Sequence, residues 1–264
     1  MHKKLSHSPL SYVLAQVRFT NIESIEKYIP DLQELIRQDF PKFEPVTIRM
    51  MRLQKNGQVE LGEGKQWNFI DKDQVCGVVL DSQSISFHTS QYGGFSNFFE
   101  KFKDILEKFN TLLSISLVER IGIRYINFIT DGLDIENTKL IGFKAKGLNA
   151  AQEKNFIAKE ETTQFTKHGV AIIKTVYIGD RSKVSGVNNI YVPPDLEAVS
   201  SRLSFAHKQI EAESFLILDI DHSQVLDKFE FDIKKICANM KELQNDSYTI
   251  FTQAVGTEAL KKWT

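Results

Sequence analysis

The stretch VERIGIRYINFIT, residues Val118–Thr130, decides how the rest of the chain is read. Its apolar positions recur at every second residue, and in a strand successive side chains point to opposite faces. One face carries Ile121, Ile123, Tyr125 and Ile129 and suits a core. The other carries Arg120, Gly122 and Arg124. At a rise of roughly 3.3 Å per residue the two guanidinium groups lie about 13 Å apart along the strand, with a glycine between them that bares the backbone. Half-exposed strands rarely concentrate charge in this way. The arginines are therefore solvated, paired with carboxylates of a neighbouring strand, or held for a ligand.

A second strand supplies candidate carboxylates. In SFLILDIDH, residues Ser214–His222, alternation puts Leu216, Leu218 and Ile220 on one face and Phe215, Ile217, Asp219 and Asp221 on the other. Two carboxylates at i and i+2 of a strand lie on one side about 6 to 7 Å apart. They can form an ion-pair ladder with Arg120 and Arg124, in which cross-strand opposite charges contribute about 0.2 to 1 kcal/mol per pair. They can also hold a hard divalent cation such as Mg2+, with His222 next in sequence as a further ligand candidate, or remain solvated. Without the ladder, Arg18, Arg120 and Arg124 form a basic strip suited to planar carboxylate or phosphate groups.

Composition narrows the classes. The chain has 264 residues, 19 of them Phe, and is 42% hydrophobic and 25% charged, which is globular and predicts that nearly all of it folds. Lys+Arg 33 against Asp+Glu 34 argues against general nucleic-acid binding. Cys76 and Cys237, each in apolar company, read as buried thiols of a reducing compartment. The N-terminal MHKKLSHSPL has no apolar segment after its basic residues and no run of about 18 apolar residues follows. These features predict a soluble cytoplasmic protein with no membrane association. Walker, dinucleotide, HExxH and nucleophile-elbow patterns are absent, and Gly93-Gly94 lacks the residues of a P-loop.

Along the chain, Ser11–Thr20 predicts a strand and Asn21 the cap of a helix through Ile22, Ile25, Ile29, Leu32 and Ile36, kinked or restarted at Pro30. The segment PKFEP closes that unit, Val46–Leu53 is a strand, and QKNGQVELGEGK is a loop. A meander follows over QWNFI, QVCGVVLD and SISFHTSQY. A helix capped near Ser96 then carries Phe95, Phe98, Phe99, Phe102, Leu106, Phe109 and Leu113 at three- and four-residue spacing. Beyond Thr130 the pattern gives a hairpin turning near Lys167, His168 and Gly169, a strand at Val184–Val192, the strand SFLILDIDH and a helix from Phe231 to about Ala254 with a docked Trp263. The fold class is α+β, antiparallel sheet with long helices packed on one side, in two topologically similar halves, 1–132 and 133–264, that form one compact unit.

The segments PLSYVLAQVRF, the Trp67 strand, the Tyr92 junction into the Phe-rich helix, RIGIRYINFI and LILDIDH before a terminal helix and tryptophan together resemble an uncharacterised, sporadically distributed prokaryotic family of about this length. RIGIRYIN is the most specific part, and Tyr12 departs from the acidic residue that the family pattern has there. The resemblance implies no activity and no catalytic residues. The family's patchy distribution is like that of accessory or mobile-element genes, defence and toxin–antitoxin systems included. The expectation is a non-enzymatic binding or interaction protein presenting Arg18, Arg120 and Arg124 to a protein partner or an anionic small ligand. The alternatives are an enzyme with a carboxylate, Mg2+-dependent site at Asp219 and Asp221, and a structural or homo-oligomeric subunit using the aromatic surplus at an interface.

Overall fold

A computed structural model describes residues 8–53, 59–130, 157–179 and 214–264. Among these, nine strands form one antiparallel sheet: β1 (Leu10–Phe19), β2 (Lys42–Leu53), β3 (Val59–Ile70), β4 (Cys76–Leu80), β5 (Ser84–Thr89), β6 (Leu117–Thr130), β7 (Ile157–Phe165), β8 (Val170–Ile178) and β9 (Phe215–Glu230). Their order is β2-β3-β4-β5-β1-β6-β9-β8-β7. Three α-helices accompany them, α1 (Ile29–Ile36), α2 (Phe95–Leu113) and α3 (Ile233–Trp263), with a 3-10 turn at Ile25–Tyr28 before α1. None of these helices is long and apolar enough to cross a membrane.

The charged strand is β6, and it lies near the middle of the sheet, between β1 and β9. Strands of the segment 1–132 and strands of 133–264 thus share one sheet, joined where β6 and β9 pair from Leu117–Glu230 to Thr130–Phe215. Alternation sorts the side chains into two faces. On one, Val13, Ala15, Val17 and Phe19 of β1, Phe69, Phe87, Ile121 and Ile123 meet Phe98, Phe102, Phe109, Ile236 and Met240 of the helices. Phe87 stacks on Phe98 at 5.0 Å and Phe69 meets Phe109 edge-on at 6.1 Å. Each buried Phe contributes on the order of 2 kcal/mol, so α2 is a principal cover of this face. Toward the other end Leu216, Leu218, Ile220 and Ile129 pack on Ile250, Val255 and Trp263. The opposite face holds a smaller apolar cluster of Tyr12, Leu14, Ile126, Phe128, Phe215 and Ile217, and beside it the polar residues described below.

Several local expectations are corrected. PKFEP does not close a unit, because Lys42–Pro45 already belongs to β2. A proline is tolerated there since β2 is an edge strand. The stretch read as a glycine-containing loop is mostly strand β3, whose Gly62 and Gly64 pair with Met50 and Ile48; only 54–58 lies outside the described residues. Asn21 is not a cap, as its amide bonds Glu23 and the α-helix starts later, with Pro30 in its first turn, where the lost N–H has no helical partner. α2 begins at Phe95 after Gly94. β9 runs eight residues past His222, because SQVLDKFE continues pairing to β6 through a bulge. The last helix continues to Trp263 across a break at Gly256, whose φ of 76° is left-handed and favours glycine. The segment 131–156, the strand at Val184–Val192 and the polar stretch 195–213 lie outside the described residues.

Candidate functional site

The face of β1, β6 and β9 turned away from α2 and α3 brings the two charged stretches together. Arg124 Nε and Nη2 donate to Asp219 Oδ1 and Oδ2 at 2.8 and 2.6 Å. Arg124 is 3% and Asp219 7% exposed, so this is a buried bidentate pair. It is diagonal: Arg124 lies opposite Asp221 in the register, and Asp219 lies opposite Ile126. A guanidinium side chain is long enough to reach the diagonal neighbour. The same face continues outward through Lys174, opposite Asp219, which reaches Glu161 at 3.4 Å.

Arg120 is placed differently. Its Nη1 donates to Gln16 Oε1 at 2.9 Å, and its Nη2 lies 3.7 Å from Asp221 Oδ1, with both side chains about a quarter exposed. Gln16 in turn donates to Ser86 Oγ at 3.0 Å. The guanidinium lies over the backbone that Gly122 leaves open: a first side-chain carbon at 122 would sit 3.4 Å from Arg120 Nη1. Arg18 is half-buried and donates to Gln83 Oε1 at 3.1 Å.

Arg18 and Arg120 are directly opposite in the β1–β6 ladder, and immediately beyond them the register slips, Phe19 pairing with Val118. The β6–β9 ladder slips at the same place, from Arg120–Val225 to Val118–Phe229. Both irregularities skip Glu119. Bulges of this kind bend a strand and re-aim its side chains. Like charges directly opposite destabilise a sheet, and among the described residues this pair is countered by neutral amides and one carboxylate at 3.7 Å.

His222 is not part of this constellation. It lies on the helix side, opposite Ile123 in the register, whereas Asp219 and Asp221 face the other way. Among the described residues no group of three or more His, Cys, Asp or Glu has metal-binding geometry. Both Asp219 oxygens are taken by Arg124, so a cation at Asp219 and Asp221 would have to displace that guanidinium.

Around His222 the structure shows a polar cluster that sequence reasoning missed. Thr166 Oγ1 accepts from the backbone N–H of His168 and Gly169 at 3.2 and 3.0 Å, which shapes the β7–β8 turn. A carbonyl can only accept, so the 3.0 Å contact between His222 Nδ1 and Leu243 O puts the proton on Nδ1. Nε2 then accepts from Thr166 Oγ1, also at 3.0 Å. Burial pushes the His222 pKa down, against smaller opposing effects of the Leu243 carbonyl, Asp246 and Asp221. His168 Nδ1 lies 3.0 Å from Asp246 Oδ2. These contacts clamp the β7–β8 turn to α3. Parity alone could have placed His222 on the helix side, since it follows Leu216, Leu218 and Ile220.

His88 is buried and stacks on Tyr12 at 5.6 Å. Burial raises the Tyr92 hydroxyl to about 12 and that of Tyr125 well above its ordinary value. Cys76 is buried and Cys237 half-buried, and both are free thiols. The chain matches no protein-family model, and no curated protein is similar to it.

Proposed function

We propose that the protein is a non-catalytic binding protein that uses Arg18 and Arg120 to hold an anionic group, a carboxylate or phosphate, of a ligand or partner. The observation that carries this is the directly opposed arginine pair at a double bulge, half-buried and, among the described residues, only partly offset by one carboxylate at 3.7 Å. Planar guanidinium groups recognise such oxyanions through paired hydrogen bonds, and an anion here would relieve the repulsion between them. Arg124 belongs to the scaffold in this reading, because its donors are committed to Asp219. An accessory role in a defence or toxin–antitoxin setting, which the family resemblance implies, is compatible with binding and is part of the same proposal.

Thermal unfolding in inorganic phosphate and in citrate, against chloride at equal ionic strength, tests it. Binding to the folded state stabilises it by about 2.7 kcal/mol at a hundredfold excess over Kd. The wild-type midpoint should rise, and the rise should be lost in Arg18→Gln/Arg120→Gln. An equal rise in the double variant reflects general salt effects and refutes the proposal.

A further inference from the structure

We infer that β7 is a self-complementary edge that pairs antiparallel with β7 of a second copy of this chain. Among the described residues β7 is the end strand of the sheet, hydrogen-bonded on one side, to β8, in an unbroken register from Ile157–Ile178 to Phe165–Val170. Eight of its nine residues are exposed. Phe165 is 81% exposed and Ile157 41%. Edge strands are ordinarily blunted by proline, bulges, short length or charged side chains; of these β7 has the charges Lys159, Glu160 and Glu161, which any pairing must match. The other edge, β2, carries Pro45, whereas IAKEETTQF has neither proline nor bulge. This inference uses none of the residues of the proposed anion site.

The charges of β7 select one register. With a twofold axis through Glu161, Ile157 lies opposite Phe165 of the second copy at both ends, and the two exposed apolar side chains cover each other. Lys159 lies opposite Thr163, Glu160 opposite Thr162 and Ala158 opposite Gln164. The two Glu161 meet on the axis, each with its own Lys174 at 3.4 Å and with Lys159 of the second copy on the diagonal, within reach of a long side chain. A slip of one residue in either direction would turn over the faces of one copy and is incompatible with the twofold. A slip of two leaves Phe165 in one direction, or Ile157 in the other, beyond the paired strand and breaks their contact. The axis stands perpendicular to the sheet, so helix-covered faces stay on the same side and the contact is isologous.

A one-strand interface falls at the small, transient end of protein contacts, so sedimentation equilibrium should show a reversible dimer with Kd on the order of tens of micromolar. Phe165→Lys, at an exposed position, should weaken it at least tenfold with the thermal midpoint unchanged. The register is read by oxidation in a Cys237→Ser background. Glu161→Cys should give a disulfide-linked dimer, since opposed Cα atoms lie about 4.5 to 5.5 Å apart. Lys159→Cys should not, because its copies would be about 13 Å apart. A wild-type monomer at about 300 µM, well above that Kd, or equal cross-linking at both positions, overturns the inference.

Discussion

Removing the Asp219 carboxylate would take from the buried Arg124 guanidinium the acceptor of its Nε and Nη2 hydrogens, and the cost follows from that asymmetry. Breaking one partner of a buried pair destabilises by about 3 to 5 kcal/mol, whereas replacing both with apolar groups of similar volume is close to neutral. Asp219→Asn should therefore lose about that much in urea unfolding, and Arg124→Met/Asp219→Leu should regain most of it. A fully additive double variant would show that the pair is not coupled. His222 gives a separate residue-scale expectation. Its folded pKa lies below the unfolded value of about 6.5 because the neutral ring is buried, with its Nδ1 proton donated to Leu243 O. Between those two values the unfolded chain binds more protons, so stability rises with pH across the window. The contribution is fully present above about pH 6.5 and is lost as pH falls toward the folded pKa. His168, Asp246 and Asp221 act on the same ring, so the test compares slopes: His222→Gln should flatten the decline in urea midpoint between about pH 7.5 and 5.5, and an unchanged slope counts against the assignment.

At the scale of elements, the helix ends show how local sequence and local structure agree. Asp232 caps α3, its carboxylate accepting from the backbone N–H of Lys234 and Lys235 at 2.9 and 3.2 Å. Asp232→Ala should cost about 0.5 to 2 kcal/mol, measured by thermal or urea unfolding, and Asp232→Ser should restore most of it. The Phe-rich stripe of α2 was legible from spacing, since six of the seven residues predicted to face the sheet are buried and Phe95, at the first turn, is half-buried. β3 was not legible as strand along its first half. Gly62 and Gly64 have poor strand propensity, and pairing with all of β2 from Lys42 to Leu53 overrides it. The second half of β9 was hidden for a related reason: the bulge beside Arg120 and the left-handed Lys228, with φ of 49°, break the alternation that announces a strand.

For the whole molecule, the seam between β6 and β9 binds the two segments into one sheet, and cooperative unfolding is the expected consequence. The chain's two tryptophans report on opposite ends: Trp67 sits in β3 and Trp263 at the end of α3. Single-tryptophan variants, Trp67→Phe and Trp263→Phe, should unfold with the same midpoint by fluorescence as by circular dichroism. Midpoints that separate in either variant would indicate two independently folding units. Periodicity by itself determined the β1 and β6 strands, their core and polar faces, the α2 stripe and the turn after Phe165, because each depends on neighbours within a few residues. Only the tertiary structure decided that Arg124 takes Asp219 while Arg120 and Arg18 face each other at a bulge, and that Thr166 and Leu243 are the groups that clamp His222. Those outcomes depend on register between strands about 95 residues apart and on where a ladder slips, and no local pattern encodes either.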